Sequence, residues 1–146
     1  MTREELMTMD ASDLFGAVGE MLEAKFDAEN ELTGPQIVVY ALWLFDMEVQ
    51  NGGLSQFFQN SSGEVAPFVP SALLAVEADE YEALLAHFLD ETDIDLEALE
   101  DCDDDRYSDA YAEFDDRYYA LYEQQPLDEM VAAYIRAHAD VFGAEA

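Results

Sequence analysis

The chain has 146 residues, 51% hydrophobic and 12% aromatic, enough apolar material to bury a core and too much for a disordered chain. Asp and Glu number 35 against five Lys and Arg, a formal net charge of −30 that repels nucleic acid and anionic membranes and attracts basic proteins or cations. The one cysteine, Cys102, excludes an internal disulfide, and Asp101, Asp103 and Asp104 around it disfavour a thiolate.

The opening residues, MTREELMTMD, contain no apolar signal core, and the longest apolar run, Ile37 to Phe45, is nine residues. A bilayer needs about 20. The expectation is a soluble cytoplasmic protein with no membrane partner. Ser12 is read as the N-cap of a first helix, with Leu14, Phe15, Val18, Met21, Leu22 and Phe26 on one face. ENELTGP breaks it, and Pro35 suits the first turn of the next, carrying Ile37, Val38, Ala41, Leu42, Leu44 and Phe45. Asn51-Gly52-Gly53 should end that helix, since Asn and Gly tolerate the left-handed conformation of a helix C-terminus.

Leu54 to Asn60 reads as a short amphipathic turn, and SSG and APFVPS punctuate before an apolar segment at Ala72 to Val76. Tyr81, Leu84, Leu85 and Phe88 share a helical face, and Leu96 and Leu99 mark a short helical piece. Tyr107, Tyr111, Phe114, Tyr118 and Leu121 form a regular helical stripe. Pro126 opens a last helix with Leu127, Met130, Val131, Tyr134, Ile135 and His138. No strand pattern and no internal repeat interrupts this. The fold class expected is all-α, about seven helices with short connections, in one domain over residues 1–146.

The acids are unevenly spread: residues 77–116 hold 18 of them with Arg106 as the one Lys or Arg, whereas residues 35–76 hold three. One reading is mimicry of nucleic acid. B-DNA carries one charge per roughly 1.7 Å, so 30 charges match about 50 Å of duplex. Carboxylates three or four apart on a helix sit about 5–6 Å apart at Cβ, close to the phosphate spacing. The partner contacts would then come from Asp79, Glu80, Asp90, Glu91, Asp93, Asp95, Glu97, Glu100, Asp101, Asp103, Asp104, Asp105, Asp109, Glu113, Asp115 and Asp116. The other reading is a solvated surface adapted to high salt, consistent with a single lysine, Lys25. Composition does not separate the two.

A calcium loop fails in both registers. Starting at Asp93, the sixth position is Ala98 rather than Gly and the twelfth is Asp104 rather than Glu; starting at Asp101, the same positions hold Arg106 and Ala112. No dedicated metal site and no cofactor is expected. The chain lacks a Walker loop, G-x-G-x-x-G, H-E-x-x-H and G-x-S-x-G, and His87 and His138 stand alone in apolar helical contexts. Nothing nominates a catalytic residue. A pocket with polar groups converging around Asn51, Gln56 and Asn60 would be needed to argue for an enzyme.

A polar stretch free of charge stands out in this acidic chain: NGGLSQFFQNSSG, residues 51–63. With the acids before it, DMEVQNGGLSQFFQNSSG resembles the signature of a bacterial family named for a DNA-mimic protein. FDDRYYAL (Phe114 to Leu121) and YIRAHADVF (Tyr134 to Phe142) are similar to the same family. The likeness spans about residues 37–142, with an N-terminal acidic helix, 12–27, expected to pack on that core. It implies an α-helical fold, frequently a homodimer, and for the founding kind of member a basic DNA-binding partner held in place of DNA, with no nucleic acid bound. Leu54 stands where an aromatic is common. Within the signature, Asn51, Gly52, Gly53, Ser55, Gln56, Phe57, Phe58 and Asn60 are read as structural: a helix end, a buried apolar face, and polar groups satisfying nearby backbone. A non-enzymatic DNA mimic is therefore the leading expectation, with an immunity-type or scaffold protein of salt-adapted surface as the alternative.

Overall fold

Two Thr residues each stand three positions ahead of a Glu or Gln, the spacing that lets both ends of a helix start satisfy each other. Thr2 and Glu5 form such a capping box ahead of α1 (Arg3–Thr8), and Thr33 and Gln36 form another ahead of α3 (Gly34–Gly52), where Pro35 occupies the first turn. In the computed structural model, which describes residues 2–99 and 105–142 (61–63 by backbone only), the remaining helices are α2 (Ala11–Asp27), α4 (Leu54–Gln59), α5 (Val69–Ala75), α6 (Asp79–Thr92), α7 (Ser108–Gln124), α8 (Leu127–Ala137) and α9 (Ala139–Phe142). Two 3-10 segments, Ser61–Phe68 and Asp105–Tyr107, link them. The fold is all-α, with no strand among the described residues; an isolated bridge joins Asp95 and Ala98.

Nine helices among the described residues exceed the expected seven because α1, α4 and α9 are too short to show a period. Three local readings need correction. Asp10, not Ser12, caps α2, its carboxylate accepting the Ser12 N–H at 3.2 Å. Leu96 and Leu99 lie outside any helix, where Asp95 instead accepts the Glu97 N–H at 2.9 Å and turns the chain. Phe26 is exposed rather than buried, and lies 5.4 Å from the Tyr40 ring.

The apolar α3 is the hub. It packs against α2, α4, α5 and the first 3-10 segment, while α8 closes over α2. Phe45 of α3 meets Phe57 and Tyr118 edge-on at 5.3 and 5.7 Å, burying three rings whose apolar area contributes on the order of 1.5–3 kcal/mol each. Gly19 of α2 exists for this packing: a Cβ there would lie 2.2 Å from the Trp43 ring. At the other end, Arg136 of α8 donates to the carbonyls of Leu6 at 2.9 Å and Met9 at 2.6 Å, tying α1 down beside the fully buried Leu6. None of the described helices is long and apolar enough to cross a membrane.

Candidate functional site

Helices α6 and α7 form a hairpin, and the tyrosine–phenylalanine stripe read from sequence is its seam. Tyr81 meets Tyr118 at 5.3 Å and Phe88 meets Tyr111 at 4.9 Å, so the start of α6 lies by the middle of α7 and its end by the start of α7. The helices are antiparallel. Their apolar faces turn inward, and the charged positions between turn outward. Asp79, Glu80, Asp90 and Glu91 on α6, Asp93, Asp95 and Glu97 after it, and Asp105, Asp109, Glu113 and Asp116 up to and along α7 are all exposed.

Some of these acids have local duties. Asp79 and Glu80 sit in the first turn of α6, where a helix N-terminus favours negative charge. Asp93 ends α6 in the left-handed region, φ 60°, which Asp tolerates better than most residues. Glu80 also accepts from the Gln125 amide. Asp115 differs from the rest: it is half-buried, and its Oδ1 accepts the Leu54 N–H at 3.0 Å, capping α4 from another helix. Burial pushes its carboxyl above the usual range, opposed by that bond. Its geometry is that of an internal cap, not of the outward array. Glu100, Asp101, Asp103 and Asp104, with Cys102, lie outside the described residues.

The apolar residues of the uncharged stretch turn inward. Gly53 ends α3 at φ +87° and ψ 173°, and a Cβ on it would stand 2.4 Å from Asp115 Oδ2. Leu54, Phe57 and Phe58 are buried. Gln56 and Asn60 donate not to backbone, as expected, but to the buried carboxylate of Glu48, Gln56 at 3.4 Å. Asn60 borders an open depression of about 460 Å³ lined by Phe58, Glu64, Pro67, Leu96, Glu97 and Leu99. Asn51 and Gln56 do not line it, so the convergence that an enzyme would need around these three residues is not formed there.

The sequence reading passed over Asp46, buried in α3 and held by Tyr118 Oη–H and by Gln50 Nε2 at 2.9 and 3.1 Å. Burial raises its carboxyl, with those donors working the other way; burial and the nearby Asp46 charge hold the Tyr118 phenol well above 10. The signal was an acid at the inward period of an apolar helix.

With a buried acid, a glycine turn, a cap arriving from α7 and a short amphipathic helix in place, the signature is one structural joint. A family model described as DMP19-like protein matches residues 30–138. The chain belongs to the DMP19-like family. In this member the family match takes in the joint and the whole acidic hairpin, and leaves α1, α2 and α9 outside. Searches of curated proteins and of solved structures each gave no significant match.

Proposed function

We propose that this DMP19-like protein is a non-enzymatic DNA mimic, whose α6–α7 hairpin occupies the DNA-binding face of a basic DNA-binding protein such as a transcription factor or nucleoid protein. The carrying observation is that exposed acids are dense on and between these two helices, while the apolar residues of the uncharged signature, Leu54, Phe57 and Phe58, are buried in the core. A protein that grips DNA with Lys and Arg gains the same charge-assisted bonds and counterion release from such carboxylates. Family membership supports the same reading.

The test is affinity capture at moderate salt with DNA as competitor, repeated with Asp79, Asp90, Asp109 and Asp116 all changed to Asn. A basic protein that the wild type retains, DNA displaces and the variant releases supports mimicry. Equal retention by wild type and variant sinks it. A second reading, salt adaptation of a scaffold or immunity-type protein, is favoured by exposed acids far from the hairpin, among them Glu4, Glu5, Asp13, Glu20 and Asp27. It predicts no DNA-displaceable partner.

A further inference from the structure

His87 has two acidic companions in the hairpin, one from its own helix and one from its partner helix. Glu91 follows it by one turn on α6, the i, i+4 spacing that puts two side chains on one face. Glu113 comes across from α7. His87 Nε2 stands 3.1 Å from Glu91 Oε2 and 3.3 Å from Glu113 Oε1, and the ligand atoms of the three residues lie within 4.8 Å of one another. Ligands held at about 2.0 Å around a tetrahedral zinc ion are about 3.3 Å apart. Two edges of such a tetrahedron are already drawn.

We propose that His87, Glu91 and Glu113 form a three-ligand site for a divalent transition-metal ion, zinc fitting the donor set best, with water as the fourth ligand. The imidazole separates this place from the many carboxylate pairs on the surface. Calcium and magnesium seek six or more oxygens and gain nothing from a nitrogen donor, whereas zinc takes nitrogen and oxygen together. The competitor is Arg117, 3.4 Å from Glu113 Oε1. All four side chains are about half exposed, so Arg117 can leave and the ligands can adjust without disturbing the core. A bound ion would cross-link α6 to α7 from outside, where Phe88 and Tyr111 already join them from inside. The site does not depend on the mimicry reading.

The experiment is calorimetric titration of the full chain with zinc, in excess magnesium to occupy unspecific carboxylates, alongside visible absorption of the cobalt-loaded protein. Wild type should take up one saturable zinc and give the intense bands of tetrahedral cobalt. H87A and E113Q should each weaken zinc binding at least about tenfold, since even second-layer changes at metal sites cost that much. E123Q, which removes an exposed α7 carboxylate elsewhere, should leave affinity unchanged, and circular dichroism checks that each variant is folded. Uptake by H87A equal to wild type, or no uptake by wild type in excess magnesium, overturns the proposal.

Discussion

At the scale of single residues, the most constrained positions are not the exposed acids. Gly53 occupies a backbone region that is essentially glycine's alone and stands against the carboxylate that caps α4. Gly53→Ala should lose about 2–4 kcal/mol in urea unfolding, from backbone strain together with the displaced cap; a loss below about 1 kcal/mol would contradict the account. Asp46 gives a pH signature. Its folded-state carboxyl is raised above the ordinary 3.8, so the native chain holds this proton more tightly than the unfolded chain does. That contribution is full below 3.8 and is lost as pH rises through the folded value. Asp46→Asn keeps an acceptor for Tyr118 and does not titrate. Unfolding measured across pH should therefore show wild type losing ground to Asp46→Asn as pH rises from about 3.8, then a constant difference. A difference independent of pH would mean that Asp46 is no more buried in effect than a surface acid.

At the scale of elements, α2 sets two glycines three residues apart in opposite surroundings. A Cβ on Gly16 meets nothing, whereas one on Gly19 runs into Trp43. Gly16→Ala should raise thermal stability by up to about 1 kcal/mol, the helix-propensity difference, while Gly19→Ala lowers it by forcing the ring away. Equal shifts would mean that Trp43 does not rest on α2. Elements of this kind divide by how legible they were. The long helices were readable because each buries a face at 3.6-residue period, from Leu14 to Leu22 and from Tyr81 to Phe88. Short α1 carried a different signal, a Thr-x-x-Glu capping pattern rather than a period, and Leu96 to Leu99 imitated a helix that an Asp turn replaces. The hairpin seam was visible as a stripe, but what it brings together was not. Glu113 meets His87, and Asp115 meets Leu54, only because two helices pack, and no spacing along the chain encodes either pair.

For the whole molecule, the net charge of −30 makes ionic strength act in two directions. Screening shortens the reach of charge from about 10 Å at 0.1 M to about 3 Å at 1 M. Self-repulsion falls, so the midpoint of thermal unfolding should rise over that range. Binding to a basic partner should weaken over the same range, as counterion release loses its advantage. Thermal scans and affinity measurements in one salt series check both. A complex that tightened with salt would exclude a charge-driven interface, whatever the stability did.

The guanidinium of Arg136 lies within the stretch that defines the family, yet the two carbonyls it holds, on Leu6 and Met9, precede that stretch. The joint is made to main-chain oxygens, which every residue type supplies, to the apolar plug Leu6 with Met9 packed beside it, and to Asp140 through an Arg3 ion pair at 3.2 Å. Little of the sequence of the first nine residues is therefore fixed by this joint: a different segment could dock there if its short helix ended with two carbonyls facing Arg136, with one aliphatic side chain at the depth of Leu6 and a cation within reach of Asp140.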